Sequence, residues 1–186
     1  MSNGEITDEA LMIRAATGDR RAFEGIYDRY AGRLYNYFFK MLYQDEELAK
    51  DQTQELFMKL VEKGHQYDGR RAFKTWVFSI ANNMCKNIYR SEEVKKRANS
   101  ELKIESEIAV THKMENIDRK AFKIALSEEL KNFDAERKSI FILRFKHQLS
   151  IKEISETTGV AEGTVKSKLF YTLKKLSTQL VSFNPK

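Results

Sequence analysis

Phe23, Ile26, Tyr27, Tyr30, Leu34, Tyr37, Phe38 and Met41 recur at three- and four-residue spacing with no proline to interrupt them. That period puts apolar side chains on one face of an α-helix, and a long unbroken run of it commits the neighbouring chain to helix-on-helix packing. The period returns in the rest of the N-terminal half. Leu11, Ile13, Ala15 and Ala16 follow Thr7, which can cap a helix start, and Gly18 and Asp19 end that segment. Leu48, Thr53 or Leu56, Phe57, Leu60 and Val61 point inward from a third helix, with Gly64 placed as its C-cap. After the loop "HQYDGRR", Phe73, Trp76, Val77, Ile80, Met84 and Ile88 share one side of a fourth helix. One proline and eight glycines in 186 residues are too few for the many turns of a sandwich or barrel. The expected class is all-α.

The C-terminal half has a tighter pattern. "RKAFKIALSEELKNFD" and "AERKSIFILRFKHQL" read as two helices, the second apolar enough to enter a small core. In "SIKEISETTGVAEGTVKSKLFYTLKKLSTQL", Ser150 and Glu153 fit a capping box, and Gly159 sits where a left-handed residue ends a helix. Ile151 and Ile154 face inward before that glycine, and Val165, Leu169, Leu173 and Leu176 form the buried stripe after it. Glu162, Thr164, Lys166, Ser167 and Lys168 then lie outside the stripe. A short helix, a glycine turn and a second helix with a polar, basic front edge make a helix-turn-helix, whose second helix fits a DNA major groove. An ordinary helical hairpin has the same spacing.

Residues 91–117 are mostly polar, and read either as a flexible linker or as the end of one helix and the start of another. Two small helical domains, near 5–95 and 120–182, are therefore expected on either side of a connection over 96–119. Net charge is +6, unevenly spread. Residues 59–97 carry 10 basic and 4 acidic side chains, and residues 137–186 carry 10 and 3. Residues 1–58 and 98–136 are net acidic. A polyanion gripped at two separated places fits that alternation.

Other classes find little support. A single cysteine, Cys85, excludes an internal disulfide framework and a multi-cysteine zinc site, and it reads as core. His65, His112 and His147 lie far apart, and His147 reads as satisfied by ordinary surface hydrogen bonds. No phosphate loop, paired-carboxylate motif or metal-ligand cluster appears, so neither catalysis nor a cofactor or metal is expected. No apolar run reaches membrane-span length and the start lacks a secretory pattern, so a cytoplasmic location is expected.

At this point the residues carry a family. "AFEGIYDRYAGRLYNY", "AKDQTQELFMKL", "FKTWVFSIANNMCKNIYR" and "LSIKEISETTGVAEGTVKSKL", in this order, resemble bacterial RNA polymerase sigma factors of the sigma-70 superfamily, extracytoplasmic-function (ECF) group. The resemblance implies a transcription initiation factor. It would bind core RNA polymerase, direct it to promoter −35 and −10 elements and assist strand opening. It further implies an anti-sigma factor as regulatory partner, and no membrane insertion of the chain itself.

Site roles follow from the resemblance. Asp51, Gln54, Glu55 and Phe57 match the polymerase-binding stretch, although spacing alone reads the carboxylates as a solvated face and Phe57 as core. Tyr67 falls in the loop that shapes a pocket for a flipped base, with Lys59 and Asn83 beside it; packing of Tyr67 onto the core is the other reading. Arg70, Arg71, Lys74 and Arg90 match the −10 and melting segment. Glu162, Thr164, Lys166, Ser167 and Lys168 match the −35-reading helix. Departures are Lys50, Asn87, Ala161 in place of a capping serine, and Lys168 with Tyr171 where an arginine pair is frequent. Lysine offers a point charge, not a two-pronged donor, so base preference is expected to differ from better-known members. A DNA-binding regulator without polymerase docking is the nearest rival.

Overall fold

The computed structural model describes residues 6–98 and 117–181, and all described regular structure is helical. Eight α-helices follow one another: α1 Asp8–Ala16, α2 Arg20–Met41, α3 Glu46–Lys63, α4 Phe73–Ala98, α5 Ile117–Lys131, α6 Ala135–Phe145, α7 Ile151–Thr158 and α8 Glu162–Gln179. Short polar residues set the starts. Thr7, Asp19, Asp45, Asp134 and Ser150 each accept a backbone N–H from three residues on, which satisfies one of the helix's orphan donors. At α7 the capping box closes in both directions, since Ser150 N donates to Glu153 Oε2 at 2.7 Å and Glu153 N donates to Ser150 Oγ at 3.2 Å.

Two glycines act for different reasons. Gly159 has φ 75° and ends α7 in the left-handed conformation, as its position predicts. Gly64 does not: its φ is −57°, and the chain continues into a single 3-10 turn, Gly64–Gln66. What it supplies is space. A Cβ there would stand 2.5 Å from the terminal methyl of Met12, so α1 can lie close over the end of α3.

The boundaries of the central connection move. α4 runs on to Ala98, so the polar stretch from residue 91 is helical at least that far, and α5 begins at Ile117. The rest of the expected linker lies outside the described residues.

The larger core cluster crosses between the two halves, and a smaller one of Leu130, Phe133, Phe141, Leu176 and Leu180 lies within the C-terminal half. Tyr30, Leu34, Tyr37, Phe38, Phe73 and Phe78 are fully buried among α2, α3 and α4, and one continuous apolar cluster extends from them to Ile140, Leu143, Leu149, Ile154 and Val165 of the C-terminal half. α7 lies on α4, and α6 on α2 and α4. The seam contains polar groups too. Tyr37 Oη contacts Ser139 Oγ at 2.9 Å and donates to Asn82 Oδ1 at 3.2 Å, while Ser139 Oγ donates to Asn82 Oδ1 at 2.9 Å. Lys138 Nζ donates to Met41 O at 3.2 Å, and burial pushes its pKa down to about 8. His147 stands against Phe78 and Tyr37, with ring centroids at 4.6 and 5.9 Å. It is 5% exposed and its Nε2 has no hydrogen-bond partner, so the surface role expected for it is wrong. The cause is tertiary: the turn after α6 carries the imidazole into the ring cluster of the other half.

Candidate functional site

The face of α3 opposite its core stripe is a continuous strip. Ala49, Thr53, Leu56 and Leu60 are buried, and Asp51, Gln54, Glu55 and Met58 fall on the outward side at 100° per residue. Met58 and Val61 are 62% and 66% exposed, so Val61 does not point inward as its apolar character suggested. The strip therefore combines acidic and amide groups with bare aliphatic surface, the composition of a protein-docking patch. Phe57 is not part of it. It is buried beneath, edge-on to Phe23 at 6.1 Å and 4.7 Å from the half-exposed ring of Tyr27. In this conformation α2 covers the Phe57 ring, as the core reading of that residue expects. Glu55 is also engaged, with Lys59 as donor one turn on.

In the first basic zone, Arg70, Arg71, Asn83 and Arg90 are exposed. Tyr67 is buried: its ring packs on Phe73 and Trp76, and its hydroxyl donates to Arg71 O. The core-packing reading of Tyr67 thus describes this conformation, and a base could reach its ring only if the loop moved. Trp76, half-buried, completes the same aromatic cluster. Two lysines of α4 bind the C-terminal half. Lys74 Nζ donates to Gln148 O at 3.4 Å and Lys86 Nζ to Thr158 O at 3.0 Å, the latter at the electronegative end of α7. Asn82, not Asn83, carries the buried polar role described above.

The helix-turn-helix is present as α7, Gly159 and α8. α8 packs with α5, α6 and α7, leaving its outer side open. Val165, Leu169, Thr172 and Leu176 form its buried edge. Leu173, expected there, is 45% exposed, because a 4-3-4 spacing from Val165 selects Thr172. Glu162, Thr164, Lys166 and Ser167 are exposed. Lys168 points sideways, where its Nζ pairs with Glu136 at 2.8 Å. Ala161 caps α8 with no side-chain hydrogen bond. Phe170, Tyr171 and Lys174, absent from the expected set, also lie on the open side. A helical wheel built on Thr172 instead of Leu173 would have found them.

Comparison with known proteins decides the family. Sigma-70 region 2 matches residues 26–94, and Sigma-70, region 4 matches residues 125–176. The chain belongs to the sigma-70 family of sigma factors, in its ECF group. Among curated relatives, the ECF RNA polymerase sigma-E factor of Haemophilus influenzae is 26% identical over 175 residues, 89% of this chain and 91% of that protein. The ECF RNA polymerase sigma factor SigX of Bacillus subtilis is 26% identical over 166 residues, 83% of this chain and 81% of that protein. Two solved structures share the fold at 20% identity. The sigma factor RpoE bound to the anti-sigma factor NepR from Bartonella quintana has a TM-score of 0.72, covering 86% of this chain and 97% of that one. CnrH bound to the cytosolic domain of CnrY has a TM-score of 0.70, covering 94% and 97%. As a sigma factor, the chain is a transcription initiation factor that acts with core RNA polymerase at promoters. Among the described residues, no helix is long and apolar enough to cross a membrane.

Proposed function

We propose that the exposed strip of α3 is the main polymerase anchor, with Asp51, Gln54 and Glu55 as its polar part and Met58 and Val61 as its apolar part. The observation that carries this is the open, mixed face of α3 above a fully packed core. Lys59, Arg70, Arg71, Lys74, Asn83 and Arg90 serve the −10 and melting segment, with Tyr67 available to a flipped base after loop movement. Glu162, Thr164, Lys166 and Ser167 meet −35 DNA, and Lys168 joins them on release from Glu136. The domains divide near the start of α5, and the protein works in the cytoplasm without chemistry of its own. An anti-sigma partner holds it in resting cells, a reading supported by the related fold solved with the anti-sigma factor NepR.

Use of both promoter elements requires the seam to open. The −35 and −10 labels stand 25 base pairs apart, about 85 Å of B-form duplex at 3.4 Å per pair. α8 packs on α7 and α7 on α4, so two helix-to-helix steps of about 10 Å separate α8 from α4. Closed, the chain spans about a quarter of the distance.

The test is charge reversal at Asp51 and Glu55. Affinity of the full chain for core polymerase should fall at least tenfold, about 1.4 kcal/mol, with unfolding midpoint unchanged. Unaltered polymerase affinity in a folded double variant would sink the assignment.

A further inference from the structure

The open side of α8 carries two exposed aromatic rings. With Val165, Leu169, Thr172 and Leu176 buried, the opposite direction runs along Gly163, Ser167 and Lys174, with Thr164, Phe170 and Tyr171 close to either side. Phe170 and Tyr171 are 62% and 59% exposed and lie edge to face, with ring centroids at 5.4 Å. Two adjacent rings on the outward face of a helix whose other face already fills the core form an interaction surface.

The surroundings identify the occupant as duplex DNA. Lys166 and Lys174 flank the rings, and among the described residues neither ammonium pairs with a carboxylate. The segment from residue 137 onward carries 10 basic against 3 acidic residues. Gly163, one turn before Ser167, has nothing within 4 Å of the position a Cβ would take, so the first turn of α8 can seat deep in a groove. In a major groove, the group that rewards an apolar side chain is the C5-methyl of thymine, while guanine rewards a two-pronged cation. Lys168, one turn before Tyr171, is held by Glu136 off this face.

We propose that Tyr171 is a specificity-determining residue of the −35 contact, that its ring packs on a thymine methyl group, and that Phe170 buttresses it edge-on. The consequence is a thymine preference at a position where an arginine in place of Tyr171 would select guanine. This rests on the reading that α8 enters the groove.

Holoenzyme assembled from core polymerase and the full chain should be offered promoter duplexes randomised across the −35 segment, and the bound fraction sequenced. The wild type should enrich thymine at one position. Tyr171→Ala should lose that preference and keep the others, and Tyr171→Arg should shift it to guanine. Replacing that thymine by deoxyuridine removes only the methyl group. It should cost the wild type about fourfold in affinity, the equivalent of ~0.8 kcal/mol for one buried carbon, and cost Tyr171→Ala nothing. If the wild type selects no base anywhere in the segment, the groove reading of α8 itself fails. If it selects bases but all three proteins select alike, or deoxyuridine costs the wild type nothing, Tyr171 does not read thymine and the rings are left as a protein-facing patch.

Discussion

Acid should loosen the seam between the two halves through His147. Burial among the rings of Tyr37 and Phe78, with Arg33, Lys146, Lys74 and Lys40 adding positive potential, pushes its pKa down to about 3. Once the halves part or unfold, the imidazole returns to its ordinary value near 6.5. Between those values the open state binds a proton that the closed state refuses, so the closed state weakens as pH falls. The stabilising contribution is complete above about pH 6.5 and declines by about 1.4 kcal/mol per pH unit below it, roughly 3 kcal/mol by pH 4. Carboxylates titrate in the same window, so the decisive quantity is the difference between the wild type and His147→Asn, which has no proton to take up. Denaturant midpoints of both proteins should be measured from about pH 7 to pH 4, together with the distance between one label on α3 and one on α8. The wild type should lose stability more steeply than the variant, and its labels should separate first. Parallel pH profiles would refute the reasoning, because they would mean that His147 gives up its packing without cost.

Two further substitutions separate packing from function. Phe57→Ala should cost about 3–5 kcal/mol of stability by removing a ring enclosed by Phe23 and Tyr27, whereas charge reversal at exposed Asp51 should cost within ~0.5 kcal/mol; thermal unfolding of both variants checks the assignment of core and surface on α3. Ala161→Ser should add the missing side-chain cap to α8 and stabilise the C-terminal half by about 1 kcal/mol, read as a higher denaturant midpoint; an unchanged or lower midpoint would show that the Ala161 backbone does not present a usable cap.

Much of the site was legible because it depends on short-range geometry. Asp51, Gln54 and Glu55 are outward wherever Leu56 and Leu60 are inward, and Ser150, Glu153 and Gly159 fix the corner of the helix-turn-helix by local hydrogen bonds and one left-handed residue. The misreadings share a cause. Apolar character alone predicts Val61 and Leu173 inside, yet the angular position of each on its helix decides burial, and buried Thr172 shows that a polar residue can take the inward place. Met58 and Phe170 are hidden in the sequence for the same reason, since an exposed apolar residue is recognisable only once the core is known.

By itself, the sequence determined the helices, their caps, the order of the two regions and the uneven charge, because periodicity and capping act over a few residues. Only tertiary packing decided that Tyr67 lies against Phe73 and Trp76, that Lys168 reaches Glu136, and that Lys74 and Lys86 bind carbonyls of the other half. It alone joined Tyr37, Asn82 and Ser139, which lie up to 102 positions apart along the chain. No spacing rule reaches that far: which faces meet is settled by the shapes and burial of whole helices together.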